Sequence, residues 1–586
     1  MIERFSLFFT LLTSFSMHFG LVFALLALLF CSVVDSANTW AFHLAPGVDP
    51  EAFAKEHGLV LVRNIAGLPQ YYEFADAEGR ARRFSMRDAK SSSWDWAEEQ
   101  TPRVRVPRSV EVFGSENEPD DPLYKDQWHH AVMSVQDVWA TGNRGEGATV
   151  AVVDDGLWSS HEDLSPNFCK ECSHDFNSNK DDPTPTTTTD QHGTRASGVV
   201  AARDNNVCGV GVAYRATLAG IRLIADYTTD ALEAEGLSFM SQKNDIYSCS
   251  WGPTDDGRRL EGPGPLLRAA FEHNVNTGRG GKGVIYVWAS GNGRASSDTC
   301  NYDGYANSRF TIAIGAVGED MRVSYYSEGC AALMAVAPSS SSGYRSITTV
   351  DYRSSDPKSC YNYFGGTSAA APSAAGVIAL MLSANPELTW RDVQHIIVAT
   401  SVPVTTSDST WALINNDNPV THTPLYHSDL YGFGLLNATA AVNLSKNWKT
   451  VAPLVSWSSG IILVNQPIDD NVDDGVTSAV YVTKSLRVEW VEVVLESDHS
   501  QRGDLDIILT SPSGVKSQLA TVHFDVNEHV PSWTFTSFVP TRQPLFLCLC
   551  LCLCHYLLMC LYDSKNEQMS PLVTELSRSL GASCFR

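Results

Sequence analysis

The sequence predicts an α/β protein: a central domain built on a mostly parallel sheet, preceded by a small α+β segment and followed by a β-sandwich. Three observations lead there. From about 121 to 448, short apolar runs alternate with stretches of 3.6-residue periodicity, as strands joined by crossover helices do. From 38 to about 108, strand-like patches surround one helical stretch. From about 450, short β-branched runs separated by turn signals take over. At 586 residues the chain exceeds what one core holds, and 44% hydrophobic with 18% charged residues is a globular composition.

The chain is uncharged from Phe5 to Val34, and Val34-Asp35-Ser36-Ala37 offers small residues for cleavage. Residues 1–37 therefore read as a secretory signal peptide, or as a signal-anchor given the length of the run. Residues 38–108 are predicted to hold strands at Thr39–Leu44, Leu59–Val62 and Tyr71–Phe74 and a helix near Glu51–His57. Gly79-Arg-Ala-Arg-Arg83 lies inside this segment and Arg103-Val-Arg-Val-Pro-Arg108 ends it. From charge alone, a solvated basic linker is the simpler reading of both.

Residues 109–448 form the expected α/β domain. Its strands are predicted at Thr149–Val153, Leu218–Ile224, Asp245–Ser250, Val284–Ala289 and Thr311–Val317, and its helices at His192–Arg203, Pro265–Val275, Thr367–Ser383 and Trp390–Thr400. In such a sheet, reactive groups belong at strand ends. A net charge of −24 argues against a nucleic-acid partner and suits basic peptides or cations. Cys208, Cys300, Cys330 and Cys360 lack the close pairing of a zinc site, so disulfides in an oxidising compartment fit better. Cys169-Lys-Glu-Cys172 is a lone pair, weak as a metal site and suited to a local disulfide.

The sandwich, residues 449–537, has runs at Ser478–Val482, Val491–Leu495 and Leu505–Leu509. The pattern then breaks into Leu545-Phe-Leu-Cys-Leu-Cys-Leu-Cys-Leu-Cys554. An incomplete domain is expected, with strand faces and ladder groups unpaired and 538–586 an aberrant Leu/Cys-rich tail. Leu545–Tyr562 is apolar and just long enough to span a bilayer, but strict Leu-Cys alternation and the lack of a basic flank argue against an evolved anchor.

The chemistry sits in four motifs. Val152-Val-Asp154-Asp155-Gly156 places a carboxylate where a strand emerges, Gln191-His192-Gly-Thr194 opens a helix, and Gly365-Gly-Thr-Ser368-Ala-Ala-Ala-Pro372 opens another. A serine nucleophile needs a base, and the base needs a carboxylate; Asp, His, Ser is one of the known chain orders for that triad. Taken singly, each is more simply a cap or a turn former. Val287-Trp-Ala-Ser-Gly-Asn292-Gly293 adds an amide after another strand, able to donate to an oxyanion. Together these resemble the subtilisin superfamily. The resemblance is closer still to kexin/furin-like proprotein convertases, through His192-Gly-Thr-Arg195, Cys208-Gly-Val-Gly-Val-Ala-Tyr214, Ser250-Trp-Gly-Pro-Thr-Asp-Asp-Gly257, Cys300-Asn-Tyr-Asp-Gly-Tyr305 and Arg502-Gly-Asp-Leu505.

That resemblance implies a subtilisin-like catalytic domain with an inhibitory prodomain (38–108) and a truncated P domain (449–537). It implies a general base His192, nucleophile Ser368, orienting Asp154 and oxyanion donor Asn292. Asp255 and Asp303 would hold the Arg before the scissile bond, Asp155 and Asp190 the residue preceding it, and Glu233 and Glu261 the Arg three positions upstream of the first. Ser250, Trp251, Gly252 and Pro253 would line the same cleft. The polythreonine stretch Thr186–Thr189 departs from the family pattern and weakens the carry-over to Asp190. Calcium is implied at two places: Asp121, Asp163 and Asn205 with carbonyls of Arg203, Val207 and Gly209, and Asp255, Asp298 and Glu328. Disulfides Cys208–Cys360 and Cys300–Cys330, a buried free Cys249, and self-processing at Arg108 and then Arg83 are implied in the same way. The segment Tyr72–Arg80 has no histidine, so the pH trigger placed there in many relatives is not expected.

The reading is a calcium-dependent serine endopeptidase, a monomer that cuts precursor proteins after paired or spaced basic residues. It is inhibited by its own prodomain and works in the secretory pathway (Golgi or post-Golgi) or outside the cell. Membrane association is left open by the two apolar runs. The rival is a catalytically silent basic-peptide binder, which the intact triad opposes and the damaged sandwich favours. Arg502-Gly-Asp504 is read as a turn rather than an adhesion motif, and Asn437-Ala-Thr439 and Asn443-Leu-Ser445 as glycosylation patterns inside a core helix.

Overall fold

A computed structural model describes residues 39–75, 93–100, 106–107, 123–415, 418, 420–466, 475–482, 484, 486–538, 546–551 and 562–563. The expected signal segment, Arg83, Arg108 and Asp121 lie outside them. The chain divides into two compact units, the first being Met1–Arg103 with Thr229–Ser238 and Pro265–Ala270. Pieces of the central segment thus cluster with the N-terminal one, which a linear boundary at 108 does not convey.

In the first unit, strands β1 (Thr39–Leu44), β2 (Val60–Asn64), β3 (Tyr71–Ala75) and β4 (Trp94–Gln100) form an antiparallel sheet of order β2-β3-β1-β4. Helix α1 (Pro50–His57) starts where Asp49 accepts the Glu51 N–H at 3.1 Å, with proline at the first position. It stops at Gly58, whose φ of 70° suits a residue without a side chain. Trp40, Phe42, Leu44, Phe53, Phe74 and Trp94 make the core, with Phe42 edge-on to Phe53, Phe74 and Trp94. β4 was not foreseen because polar Glu98-Glu-Gln100 follows its Trp-Asp-Trp alternation and hides the period. Arg63 donates to Glu73 at 2.7 Å and also to Glu235 on the helix Asp230–Gly236.

The second unit contains a seven-stranded sheet of order β13-β12-β11-β9-β6-β8-β7. Its strands are β6 (Thr149–Asp154), β7 (His174–Asp175), β8 (Thr217–Arg222), β9 (Ile246–Cys249), β11 (Ile285–Ala289), β12 (Thr311–Val317) and β13 (Leu333–Pro338), paired parallel throughout. The expected strands are all present, because each is a continuous β-branched or apolar run buried on both faces. Helices α2 (His192–Ala201), α3 (Pro265–Gly281), α4 (Thr367–Ala384) and α5 (Trp390–Thr400) match the four predicted ones. Among the described residues α4 is long and apolar enough to cross a membrane, but it is buried inside this unit. Small strands β5 (Val106–Pro107) and β10 (Trp251–Gly252) pair antiparallel, and β14 (Ile347–Val350) pairs β15 (Cys360–Phe364). Disulfides join Cys208 to Cys360 and Cys300 to Cys330, as the resemblance implied, and also Cys169 to Cys172; Cys249 is free and buried.

The sandwich strands β18 (Val476–Tyr481), β20 (Val491–Ser497), β21 (Ile507–Thr510), β22 (Lys516–Ala520), β23 (Val530–Ser537) and β24 (Phe546–Leu551) follow the short hairpin β16 (Ala412–Asn415) and β17 (Leu425–His427). One expectation is corrected here. β24 lies within the Leu/Cys run, and its backbone pairs antiparallel with both β18 and β21, filling the ladder that was expected to stay open after Ser537. The alternation that signals low complexity also has period two, and a period-two apolar run can take a strand position.

The sandwich is tied into its unit. Tyr302 and Ala331 belong to its core cluster, Tyr302 stacks on His523 at 4.0 Å, and Asn307 exchanges hydrogen bonds with Thr534 and Thr536, each 2.7 Å. Arg502 donates to the fully buried Asp525, and a side chain at Gly503 would strike Asp525 O at 2.5 Å, so Arg502-Gly-Asp504 is a packed turn. Asn437 caps the helix Ala438–Ser445 by accepting from Ala440 N at 2.9 Å, whereas Asn443 is exposed within it.

Arg391 of α5 grips Glu489 with side chains 9% exposed on both sides, Nε to Oε2 at 3.0 Å, and His395 stands 3.3 Å away. Burial alone would raise the Glu489 carboxyl, but the His395 and Arg391 hydrogen bonds and charges pull it from 4.5 to about 2. Its stabilisation is therefore complete above about 4.5 and lost as pH falls towards about 2. Glu489→Gln leaves a buried guanidinium unpaired and should cost about 3 kcal/mol in urea unfolding at neutral pH. The difference from wild type should shrink through that acid window.

Candidate active site

Three of the expected residues meet at the C-terminal edge of the parallel sheet. β6 delivers Asp154 there, and α2 begins with His192. Asp155 fixes the junction: its Oδ2 accepts the His192 N–H at 3.0 Å and its Oδ1 the Gly193 N–H at 2.7 Å, capping α2 where the helix end is positive. A side chain at Gly193 would fall 2.3 Å from Gly156 O, so the motif needs glycine for this approach. His192 Nδ1 then lies 2.8 and 2.9 Å from the two oxygens of Asp154. Burial pushes the imidazole down, but the charge and hydrogen bond of Asp154 outweigh it and leave His192 raised. Asp155 is also raised, by burial and the neighbouring Asp154 charge.

Ser368 occupies the second position of α4, after Gly366 with φ 73°. Ser339 Oγ donates to Gly366 O at 2.6 Å and holds that turn. The spacing of Ser368 to Pro372 has a backbone reason: proline has no N–H for the carbonyl four residues earlier, and the freed Ser368 C=O accepts instead from Ser250 Oγ at 3.3 Å. Ser368 Oγ in turn donates to Ser250 O at 3.4 Å. His192 Nε2 is buried with no hydrogen-bond partner among the described residues, so the serine–histidine link is not closed in this conformation. Asn292 is oriented by Thr367, whose N–H and Oγ1 donate to its Oδ1 at 2.9 and 3.1 Å, leaving Nδ2 as its outward donor.

The expected substrate residues fall into three groups. Asp303 and Glu261 are brought together by a parallel bridge, with Gly304 N donating to Glu261 O at 3.0 Å, and Asp255, in the same unit, accepts Asn292 N at 2.9 Å. Glu233 belongs to the first unit, fully buried on the helix Asp230–Gly236. Asp190 has partners inside the protein: its carboxylate meets Arg222 Nη2 at 2.9 Å and Thr187 Oγ1 at 2.6 Å. Trp251 offers its backbone rather than its ring. Its side chain is buried, with Nε1 donating to Val153 O at 2.8 Å, and only its backbone in β10 offers a strand edge. Arg222 carries no local signal, because its partners lie 32 to 67 residues away.

Both implied cation positions hold buried carboxylates. Asp163 is buried, and among the described residues neither of its oxygens has a hydrogen-bond donor in geometry. Burial raises it to about 8, with Glu162 adding to the rise and the Asn205 amide opposing it. The loop Arg203–Gly209 passes beside it, where Arg203 N donates to Asp163 O at 2.8 Å. At the second position three acidic side chains crowd Gly293: a side chain there would meet Asp298 Cβ at 2.6 Å, Glu328 Oε1 at 2.9 Å and Asp255 Cβ at 3.0 Å. Burial, with the Asp255 and Asp303 charges, raises Asp298 to about 7 despite two backbone donors. Crowded, buried carboxylates of this kind fit a hard cation.

Residues 145–434 match the subtilase family and residues 488–543 the proprotein convertase P-domain. The chain is 39% identical over 517 residues to proprotein convertase subtilisin/kexin type 7 of Mus musculus, covering 83% of this chain and 65% of that one. It is 38% identical over 502 residues to furin of Rattus norvegicus, covering 82% and 61%. The chain therefore spans under two thirds of the length of these relatives. A dibasic-processing endoprotease of Schizosaccharomyces pombe is 37% identical over 546 residues, covering 88% of this chain and 75% of that one. In fold, a serine protease of Aeromonas sobria superposes with TM-score 0.63 at 22% identity, covering 78% of this chain and all of that chain, 100%.

Added calcium should raise the thermal midpoint of the purified chain and excess chelator should lower it. Asp298→Asn and Asp163→Asn, each removing part of one crowded set, should each shrink that increment by several degrees, as a loss of about 1–2 kcal/mol of linked binding requires.

Proposed function

The chain belongs to the kexin/furin-like proprotein convertases of the subtilase family, and from that premise we propose that it is a serine endopeptidase that processes precursor proteins after Arg-X-X-Arg or Lys/Arg-Arg. The single observation that carries the reading is the bidentate approach of Asp154 to His192 beside a serine that opens α4. His192 Nε2 takes the proton of Ser368 as Oγ attacks the scissile carbonyl, and later returns it to the leaving amine. Asp154 holds the imidazole tautomer that keeps Nε2 free and stabilises the cation that forms. The oxyanion is met by Asn292 Nδ2, whose orientation Thr367 supports.

Basic selectivity follows from Asp255, Asp303 and Glu261, anions set around one cleft wall that would receive guanidinium groups bidentately. Asp155 adds negative charge next to the base, although both of its oxygens already accept a backbone N–H. Calcium, when bound, supplies positive charge among Asp163, Asn205 and the Arg203–Gly209 carbonyls and among Asp255, Asp298 and Glu328. The second set wraps the turn that carries Asn292, with Gly293 N donating to Glu328 at 2.8 Å.

Self-processing is supported by β5, in which Val106 stands opposite Gly252 and Pro107 opposite Trp251. The residues just before Arg108 thus run antiparallel to the strand that a substrate would pair with. We infer cleavage after Arg108, a second cut after Arg83, and action in the secretory pathway.

A fluorogenic Arg-X-X-Arg peptide tests the reading. The full chain should cleave it, and Ser368→Ala should not, while also persisting as the uncut precursor when expressed alone. Asn292→Ala should lower kcat by about 10²–10³-fold with little change in KM. Asp255→Asn or Asp303→Asn should cut kcat/KM for Arg substrates by about 10–100-fold, the loss of one charge-assisted partner. Cleavage by Ser368→Ala equal to wild type would end the proposal.

A further inference from the structure

Arg222 ends β8 and stands in register with Asp154 on the neighbouring β6, 4% exposed. Every arm of its guanidinium is used. Nε donates to Asp155 O at 3.0 Å, Nη1 to both Asp175 oxygens at 3.2 Å, and Nη2 to Asp190 Oδ2 at 2.9 Å and Thr186 Oγ1 at 3.0 Å. Two chain segments meet on this one side chain: the turn leaving β6 just after Asp154, and the Thr186–Asp190 approach that ends two residues before His192. The polythreonine stretch, unexplained by the sequence, has a role here. Thr187 and Thr189 donate to Asp190 Oδ1 at 2.6 and 3.3 Å, and Thr186 meets the arginine.

We propose that Arg222 is a positioning residue for the reaction, locking the Asp154 turn to the His192 approach while its charge offsets Asp175 and Asp190 beside the base. This rests on the triad reading above. A lysine would keep the charge but lack the fork that reaches two segments and two carboxylates at once. The groups that face His192 are Asp154 and Asp155 from the end of β6, Arg195 on its own helix and the uncharged ring of Phe364 on β15, with centroids 5.5 Å apart. None of these residues is itself replaced in the Arg222 or Asp190 variants, although Asp155 loses its Arg222 donor in the former.

The sign follows. Without Arg222, two carboxylates near His192 lose their partner, and imidazolium becomes easier to form; without the Asp190 charge it becomes harder. The test is the pH dependence of Ser368 phosphonylation by a fluorophosphonate, and of kcat/KM, on the full chain. Arg222→Gln should move the acidic limb up by roughly half a pH unit or more, and Asp190→Asn should move it down by a similar amount. Arg222→Lys should restore the limb but not the rate, which should stay about tenfold or more below wild type. A merely structural role would lower the melting temperature of all three without opposite limb shifts, and that result overturns the proposal. If Arg222→Gln does not fold, an unmoved limb in Asp190→Asn overturns it alone. Wild type that shows no Ser368-dependent labelling at any pH removes the triad reading, and this proposal with it.

Discussion

Burying carboxylates at the end of a parallel sheet is the constraint on which the rest of this structure depends. An isolated buried anion is costly, so each one must find a positive partner or take up a proton. The molecule answers in four ways. Asp154 faces His192, Asp155 takes the backbone N–H groups that open α2, Asp175 and Asp190 share Arg222, and Glu489 is held by Arg391. Asp163 and Asp298 are left with carboxyls raised chiefly by burial.

The topology explains why these groups share one edge. All strands of the central sheet run in one direction, so residues that end β6, β8, β9 and β11 emerge on the same side. Asp154, Arg222, Ser250 and Asn292 come from those ends, and α2 and α4 begin there. Helix N-termini bring backbone donors to the place where negative charge is concentrated. The turn bearing Asn292 is bordered by carboxylates on one side and by Thr367 on the other. The Asn292 turn and the crowded acidic set are therefore one physical object.

The sandwich is an integral neighbour rather than an appendage. Its core cluster includes Tyr302 and Ala331, and Asn301 donates to Gln518 O at 3.1 Å close to the Cys300–Cys330 bridge and to Asp303. Packing here bears on the wall that carries Asp303 and Glu261. The backbone of β24 completes a four-stranded sheet of order β18-β24-β21-β22.

Much of this was legible in the chain. Continuous apolar runs marked the five principal strands, 3.6-residue periodicity marked the four helices, and the four motifs named the candidate residues of the site, because those signals are local and a few residues long. Two-residue β7 and the polar-ended β4 carry too little periodicity to be read. The destination of Asp190, the buried Trp251 ring, the fork of Arg222 and the strand partners of Phe546–Leu551 had no local signature. Each is decided by partners tens of residues away in sequence, where the cost of leaving a charge or a ladder group unpaired selects the contact, and only the tertiary fold brings those partners within reach.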